Sequence, residues 1–444
     1  LNMERILAAA RATGAEAIHP GYGFLAENAA FARLCEERSV VFIGPNSTAL
    51  ELVGNKVRAR QTMEKAGIPT IPGMTSVSTS PEEFRAAAGA LGYPVMVKAS
   101  AGGGGKGMRV VGDEAGLGPA LDAGMREAKS AFGDDSVYLE KCIEEPRHVE
   151  FQVLADNRGR TVHLFERECS IQRRHQKILE ETPSPALDPE LRARMGETAV
   201  RAMRTAGYNN AGTVEFLLDG DRRFYFLEVN ARLQVEHPVT ELVAGVDLVR
   251  QQILIASGAD LPFRQEDLRQ RGHAVECRIY AEDPKTNFLP SSGRIAFLRE
   301  PKGPGVRFDS GIYESFEVPV YYDPILAKLI VWAEDREAAC RRMAAALDDC
   351  VILGIHTTVG FLKDVVDHPE FRAGRATTSF IGKFFSSWGT GQGEEDKRRL
   401  ALAAAAFDAL APATGPKGLP GRSGKKDATT PWTILGRWRA GGEK

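Results

Sequence analysis

The order of apolar and polar segments along the chain predicts an α/β protein. Short apolar runs that are typical of strands alternate with stretches whose apolar residues recur at helical spacing. Helices are predicted over residues 3–13, 56–66, 189–206, 238–257 and 335–349, and strands over 15–18, 40–43, 93–100, 136–143, 272–280 and 305–310. Alternation of this kind is typical of the α/β class. The globular pattern fades after residue 385, where Gly, Pro and Lys become frequent and an Ala-rich helix is predicted over 397–410.

Two apolar strands on either side of the polar turn 219–222 predict a β-hairpin. At a strand period of two, Phe226 is expected to share one face with Glu228 and Asn230. A turn centred between residues 221 and 222 sets Glu215 directly opposite Glu228. Like charges across an antiparallel pair are unfavourable unless a cation lies between them.

The hairpin therefore predicts either a cation site or a solvated, charged face. Two carboxylates and an amide offer oxygen ligands, which suit Mg²⁺, and Mg²⁺ in turn binds nucleotide phosphates. Arg232, Gln234 and Glu236 follow the second strand directly and favour the first interpretation. We expect a metal–nucleotide site with an anion pocket beside it.

A glycine-rich loop between two strands predicts a flap that covers phosphates. The pattern Gly-x-Gly-x-x-Gly at 102–107 has no helix after it, which excludes a dinucleotide fingerprint, and Gly follows Lys106, which excludes a Walker A loop. The alternative is a plain hairpin tip, although consecutive glycines cost backbone entropy that a simple turn does not require. Lys98 and Lys106 are the candidate phosphate cations. Lys56 lies near a helix start and either contacts phosphate or remains a surface lysine.

A second hairpin is predicted over residues 148–165, and a densely polar run follows at 166–177. Such a run is usually a charged surface segment. Gln172, His175 and Lys177 are equally suited to line a polar pocket. Both interpretations remain open at this point.

Composition excludes several functional classes. The 444 residues are 43% hydrophobic and 26% charged, and the formal net charge is −2. This balance predicts neither nucleic-acid binding nor membrane binding. Six cysteines without a CxxC pair predict reduced thiols in an intracellular protein, and no apolar run approaches transmembrane length. We expect a bacterial cytoplasmic protein, with the mitochondrial matrix as the alternative.

Several long motifs make the chain similar to the biotin carboxylase family of ATP-grasp enzymes. The matching segments are 19–25 (HPGYGFL), 98–108 (KASAGGGGKGM), 166–177 (ERECSIQRRHQK), 228–238 (EVNARLQVEHP) and 272–278 (GHAVECR). The resemblance covers roughly residues 1–385 and implies an α/β (α+β overall) ATP-grasp fold. Its implied parts are an N-terminal α/β domain (1–70), a small glycine-flap lid domain (71–143), a C-terminal mixed β-sheet domain (144–385), and a linker with the start of another module (386–444).

The resemblance also implies roles for individual residues. The implied phosphate ligands are Lys56, Lys98 and the flap residues Gly102, Gly103, Gly104 and Gly105. The implied adenine and ribose contacts are Glu140, the backbone near Ile143, His148, Gln172 and His175. The implied Mg²⁺ or Mn²⁺ ligands are Glu215, Glu228 and Asn230. The implied bicarbonate pocket comprises Lys177, Arg232, Gln234 and Val235, with Glu236 as the general base and Arg307 as the residue that stabilises the biotin enolate.

The implied activity is carboxylation of biotin by bicarbonate with ATP, through carboxyphosphate. The implied partners are a biotin carboxyl carrier domain and a carboxyltransferase β subunit in a homo- or hetero-oligomer. Family members begin with a further βαβ segment, and residues 386–444 resemble the region that leads towards the carrier in acyl-CoA carboxylase α subunits. The carrier's Ala-Met-Lys-Met motif is absent. We therefore expect an α-subunit chain that is cut at both ends.

Two other functions compete with this one. Another ATP-grasp ligase that forms an acyl-phosphate is disfavoured by the run 232–236 and by Arg307, and dependence of ATP turnover on bicarbonate and biotin discriminates it. A non-catalytic assembly module is disfavoured by the costly carboxylates Glu215, Glu228 and Glu236. Failure to bind Mg-ATP would favour that module.

Overall fold

The computed structural model describes residues 1–74, 78, 80–100, 108–389 and 402–403. Residues 1–388 form one compact unit, and residues 389–444 are assigned to a second. The predicted flap residues Gly102, Gly103, Gly104 and Gly105, together with Lys106, lie outside the described residues. The helix predicted over 397–410 also lies outside them, apart from residues 402–403, which are helical.

The N-terminal part alternates helices with two short parallel strands, as predicted. Its elements are α1 (Met3–Thr13), β1 (Ala17–Ile18), α2 (Ala29–Glu37), β2 (Val41–Phe42), α3 (Ser47–Gly54) and α4 (Lys56–Lys65). Helix α3 was not predicted. Asn55 ends α3 and caps α4, where its side chain accepts a hydrogen bond from the Arg58 backbone N–H. This cap places Lys56 in the first turn of α4.

A small antiparallel sheet follows. Its elements are α5 (Pro81–Leu91), β3 (Val95–Ala99), β4 (Arg109–Val111), α6 (Glu114–Phe132) and β5 (Val137–Lys141), and the strand order is β4-β3-β5. Phe84, Val95, Val97 and Leu139 form its own hydrophobic core. This sheet carries Lys98 and Glu140 on adjacent strands.

The remaining elements build the body of the protein. They are β6 (Arg147–Ala155), β7 (Thr161–Arg173), β8 (Gln176–Thr182), α7 (Pro189–Thr205), β9 (Asn210–Leu218), β10 (Phe224–Asn230), α8 (His237–Ala244), α9 (Leu248–Ala256), β11 (His273–Tyr280), β12 (Glu282–Asp283), β13 (Leu289–Pro290), β14 (Gly293–Arg294), β15 (Phe297–Arg299), β16 (Val306–Ser310), β17 (Glu317–Val318), β18 (Ile325–Ala333), α10 (Arg336–Asp349), β19 (Val351–Leu353), α11 (Val359–Asp367), α12 (Pro369–Arg372) and α13 (Phe380–Phe384). Short 3₁₀ turns occur at Gln265–Asp267 and Pro284–Thr286.

An eight-stranded antiparallel sheet, ordered β10-β9-β6-β7-β8-β11-β18-β16, organises this body. One apolar core contains Phe151 and Phe216 of the sheet and Met195 and Met203 of α7. A second core packs β11 and β18 against α10 and α11. Buried charged side chains from β6, β8, β9 and β11 gather away from these cores and form the site described below.

The predicted 212–230 hairpin is present, but a β-bulge changes its faces. Strand β10 pairs with β9, and the register shifts between Phe226 and Glu228. The shift places Val229, rather than Glu228, in the apolar core with Phe226. The prediction that Phe226 shares a face with Glu228 and Asn230 is therefore wrong. Glu215 does lie opposite Glu228, as predicted. The bulge inserts one extra residue into β10 between Phe226 and Glu228, and this insertion brings Glu228 opposite Glu215.

The structure decides between the two interpretations of the polar run 166–177 and corrects one predicted helix. The run is mainly buried rather than a surface segment, because β7 extends through Arg173 and Arg167 is fully buried within it. The single helix predicted over 238–257 is two helices. Gly245, with φ of +68°, ends α8 in the left-handed conformation, and Asp247 caps α9.

Candidate active site

The site is centred on Lys177, whose ammonium group lies among three buried carboxylates. Lys177 Nζ is 2.5 Å from Glu150 Oε2, 2.7 Å from Glu215 Oε1 and 2.9 Å from Glu236 Oε1. Glu150 lies directly opposite Glu215, which in turn lies opposite Glu228, so three adjacent strands present a row of carboxylates. Glu236 comes from the loop before α8 and closes the group from the other side.

Electrostatics keep this cluster ionised. Burial alone would lower the pKa of Lys177, but the carboxylates of Glu150, Glu215 and Glu236 outweigh burial and hold that pKa well above its ordinary value. Burial would raise the pKa of Glu236, yet Lys177, Arg278 and Arg167 hold it well below the usual range. Burial would also raise the pKa of Glu215, but Lys177 and His148 hold it well below the usual range. The carboxylates are therefore available as bases or metal ligands only when these cations are displaced or shared.

Two buried arginines complete the cluster, and the sequence analysis assigned neither a role. Arg167 Nε lies 2.5 Å from Glu150 Oε1. Arg278 donates through Nε to Glu180 Oε1 at 2.6 Å and through Nη2 to Glu236 Oε2 at 2.9 Å. Both arginines lie within motifs that carried the family resemblance. Their position in these motifs was the one sequence feature that could have identified them as site residues.

Arg307, the arginine assigned to the biotin enolate, lies elsewhere. Asp309 binds its Nε at 2.8 Å and its Nη2 at 2.9 Å, and Glu241 binds its Nη1 at 2.8 Å. It is linked to the site through Glu241, which lies 4.0 Å from His237, and through Asp309 and Lys328, whose ammonium group donates to the Val235 carbonyl at 2.8 Å. All three guanidinium nitrogens of Arg307 are thus occupied, whereas Arg278 contacts the predicted base directly.

The predicted metal ligands meet in part. Asn230 Nδ2 donates to Glu215 Oε1 at 2.7 Å, while Glu228 pairs with Lys56 at 2.9 Å. Burial opposes the charge of Lys56, but the Glu228 carboxylate outweighs it and raises the Lys56 pKa. Lysine ammonium groups thus neutralise both carboxylates of the pair. Anionic oxygen ligands on facing strands fit a divalent cation, which would take over this neutralising role.

A second arrangement of ligand atoms is also close enough to hold a cation. Among the described residues, donor atoms of His148, Glu150 and Glu215 lie within 4.8 Å of one another. His148 Nε2 is 2.8 Å from Glu215 Oε2, and its Nδ1 is 2.5 Å from Gln172 Nε2. His148 and Gln172, two of the implied ribose contacts, therefore lie together beside Glu215. His175 lies exposed at the turn between β7 and β8.

The predicted nucleotide contacts of the small sheet surround a buried carboxylate. Lys98 Nζ lies 2.6 Å from Glu140 Oε2, and Arg60 Nη1 lies 3.4 Å from Glu140 Oε1. Ile143 follows β5 and is half-buried. The Lys98 ammonium group also lies near enough to Lys56 to oppose its charge. Two of the predicted phosphate cations therefore lie in one neighbourhood.

The segment after β10 brings the predicted anion pocket to the cluster. Arg232 Nη1 donates to Gln234 Oε1 at 2.9 Å, and its Nε lies 3.0 Å from Glu27 Oε2. Gln234 Nε2 lies 3.5 Å from Glu215 Oε1. Glu27, which the sequence analysis did not select, also accepts a hydrogen bond from the Ala231 backbone N–H. It fixes the segment that carries the arginine.

Known families match almost all of residues 1–383. Residues 1–50 match the biotin carboxylase N-terminal domain, residues 55–264 the ATP-binding domain of the carbamoyl-phosphate synthase L chain, and residues 276–383 the biotin carboxylase C-terminal domain. No helix among the residues that the structure describes is long and apolar enough to cross a membrane.

Individual relatives are similar over most of their length. A biotin carboxylase of Nostoc sp. is 52% identical over 381 residues, which are 86% of this chain and 85% of that protein. The mitochondrial methylcrotonoyl-CoA carboxylase subunit α of Dictyostelium discoideum is 47% identical over 98% of this chain and 61% of its own length. The biotin carboxylase domain of Hydrogenobacter thermophilus 2-oxoglutarate carboxylase, solved with MgADP, ADP and bicarbonate, aligns with a TM-score of 0.85 at 48% identity over 86% of this chain and 84% of that one. This chain belongs to the biotin carboxylase family and has its ATP-grasp fold.

Proposed function

We propose that this chain carboxylates biotin with bicarbonate and ATP, and that Glu236 is the base. The observation that carries this proposal is the position of Glu236, which is fully buried between Lys177 and Arg278. Two cations around one carboxylate form a site in which a second anion, bicarbonate, is attracted and held next to a proton acceptor. The similar carboxylase domain bound bicarbonate together with MgADP.

Binding of the anion also prepares the base. Lys177 and Arg278 hold the pKa of Glu236 well below its usual range against the effect of burial. When bicarbonate shares these two cations, they stabilise the Glu236 carboxylate less, and the pKa of Glu236 rises towards a value at which it accepts a proton. Glu236 then takes the bicarbonate proton as the bicarbonate oxygen attacks the γ-phosphorus, giving carboxyphosphate and ADP.

The nucleotide is held by groups on both sides of the cluster. Lys56 and Lys98 are placed to neutralise phosphate oxygens, and His148 with Gln172 offers hydrogen bonds at the ribose end. A divalent cation held by Glu215, Glu228 and Asn230 would supply charge neutralisation for the polyphosphate. Arg232 orients the bicarbonate through a planar guanidinium fork that a lysine cannot provide, and Gln234 holds that guanidinium.

The second stage transfers the carboxyl group to biotin. Carboxyphosphate yields CO₂ and phosphate, and phosphate takes the proton from the ureido nitrogen as that nitrogen attacks CO₂. We assign stabilisation of the resulting biotin oxyanion to Arg278 in place of Arg307. Arg278 is buried and contacts the proposed base Glu236, while Arg307 is occupied by Asp309 and Glu241.

The wider assembly is part of the proposal. The similarity to a methylcrotonoyl-CoA carboxylase subunit α over 98% of the chain supports an α-subunit role. In that role the substrate is biotin on a carrier domain, and a carboxyltransferase subunit uses the product. The acyl-CoA and the cellular compartment stay predictions.

The test is ATP hydrolysis with Mg²⁺ and bicarbonate, with and without biotin, in the chain and in Glu236→Gln. We expect bicarbonate-dependent turnover that rises with biotin and collapses in the variant, because loss of a general base costs about 10²–10⁴ in rate. Turnover that ignores both bicarbonate and biotin would instead favour another ATP-grasp ligase. Failure to bind Mg-ATP would favour a non-catalytic module.

A further inference from the structure

Behind Arg278 lies a buried carboxyl group that the proposed reaction does not use. Glu276, on β11, is fully buried, and neither of its carboxyl oxygens has a hydrogen-bond partner among the described residues. Buried polar atoms are nearly always paired, so this exception requires an explanation. On one side its strand neighbour is Ile330, and on the other it is Glu180.

Glu180, which lies opposite Glu276 on the neighbouring strand, has an unpaired oxygen that can accept a proton from it. Glu180 is also fully buried and gives one oxygen, Oε1, to Arg278, while its Oε2 has no partner in the described part of the chain. Side chains directly opposite in an antiparallel pair have Cβ atoms about 5 Å apart. Two carboxyl groups at this separation can share a single proton.

Among the described residues, no cation forms an ion pair with Glu276. The charged groups that act on it are Glu180 on β8, Lys328 on β18, Arg278 on its own strand and Glu236 before α8. These are two cations and two anions, and Lys328 also lies 3.6 Å from Asp309. From α8, the side that faces this strand is apolar, with Val239 packed against Ala274 and Ile330. An ionised Glu276 would therefore be an uncompensated buried charge, which is very costly.

We propose that Glu276 is held as a neutral carboxylic acid that donates its proton to Glu180, and thereby positions Arg278 against Glu236. Glu180 then remains an anion with both oxygens satisfied and fixes the guanidinium from behind. Burial raises the pKa of Glu276 well above its ordinary value, and burial raises that of Glu180 to about 7, in agreement with one retained proton between them. The positioning role rests on the proposed function of Glu236, but the protonation state does not.

The protonation state is tested by thermal unfolding of the full chain as a function of pH. The unfolded chain loses the Glu276 proton near pH 4.3, whereas the folded chain keeps it, so this group destabilises the fold progressively as pH rises. Glu276→Gln removes the effect. The difference in melting temperature, variant minus wild type, should therefore increase by at least about 1 °C per pH unit between about pH 5 and pH 8. Glu276→Leu, which suits the apolar surroundings, should show the same slope if the glutamine variant folds poorly.

Glu181 is the matched control, because it is a buried neighbour with the opposite pKa shift. Despite burial, hydrogen bonds from His273 and Arg336 lower its pKa to about 2. Its own contribution is complete above the unfolded pKa, so Glu181→Gln should lower the melting temperature by a constant amount between about pH 7 and pH 8, above the ordinary titration range of its hydrogen-bond partner His273. A difference between wild type and Glu276→Gln that is equally independent of pH would overturn the proposal, because it would mean that Glu276 is ionised in the fold.

The positioning role is tested by comparing turnover in the two neutral variants. Glutamine can still donate to Glu180 and leucine cannot, so Glu276→Leu should lower kcat by about tenfold with KM for ATP unchanged, while Glu276→Gln recovers to within about threefold. Equal rates in the two variants would refute the hydrogen bond to Glu180. If neither the chain nor its variants show bicarbonate-dependent turnover, the proposed function fails, but the pH-dependent stability still reports on Glu276.

Discussion

The most informative experiment compares two separate variants, Arg278→Lys and Arg307→Lys. The family resemblance pointed to Arg307 as the residue that stabilises the biotin oxyanion, while in the structure Arg278 contacts Glu236, the proposed base. Both variants keep the positive charge and remove the guanidinium fork. The comparison therefore asks which of the two forks the reaction needs.

The expected magnitudes follow from the contacts. Arg278 spans Glu180 and Glu236 with two different nitrogens, at 2.6 and 2.9 Å, and one lysine nitrogen cannot reproduce both bonds. A lost hydrogen bond to a charged group costs about 1.5–3 kcal/mol, which is about ten- to 150-fold in rate. Arg307 is a third exposed, and its partners Glu241 and Asp309 are exposed in part, so solvent screens its ion pairs. We expect less than about a threefold effect for Arg307→Lys.

The assay is biotin-dependent ATP hydrolysis at saturating bicarbonate, measured beside the affinity for Mg-ATP and the melting temperature. Arg278→Lys should lower biotin-dependent turnover by about ten- to 150-fold and change Mg-ATP binding little, because the nucleotide contacts lie on other elements. A larger loss in Arg307→Lys than in Arg278→Lys would refute this reasoning and restore the original assignment. Similar losses accompanied by similar drops in melting temperature would show that both act through stability.

Two further variants and one pH effect test other parts of the structure. Lys56→Met should raise KM for Mg-ATP about tenfold, because a charge-assisted phosphate contact is lost. Arg58→Met, on the exposed side of the same helix, should leave KM unchanged. Equal effects of the two variants would show that Lys56 does not contact the nucleotide. Gly196→Ala should lower the melting temperature, since a Cβ there would lie 2.5 Å from His163 Nε2. Burial lowers the pKa of His163 to about 4. As pH falls below about 6.5, the unfolded chain therefore binds a proton at this residue before the folded chain does, and the wild type should lose about 3 kcal/mol of stability by about pH 4. The variant His163→Asn should not show this loss.

The sequence predicted local elements well where their boundaries carry chemical signals. Helix α7 begins at Pro189, as predicted, with Asp188 as its cap, and α10 begins one residue later than predicted, because Asp335 caps it. The pairing of Glu215 with Glu228 was also predicted correctly, although the prediction assumed a regular hairpin, whereas in the structure the bulge in β10 produces this register. A bulge has no reliable sequence signature, so the face of each β10 residue was not available from periodicity.

The buried charges were harder to predict for a physical reason. The run 166–177 has the composition of a solvated surface, and only the tertiary structure shows that Arg167 and Lys177 lie among carboxylates from three other elements. Whether a charged residue is buried depends on whether counter-charges distant in sequence reach it. Motif position identified Lys177 as important, but it did not reveal Glu150, which supplies one of the three carboxylates.

The same dependence bears on the choice between Arg278 and Arg307. Both arginines lie in predicted strands, Arg278 in 272–278 and Arg307 in 305–310, so the strand pattern alone does not distinguish them. Burial makes the first one consequential. A guanidinium with no access to water must be matched by anions, and Glu180 and Glu236 are those anions, so the residue that looks structural in the sequence is the one whose charge the predicted base depends on.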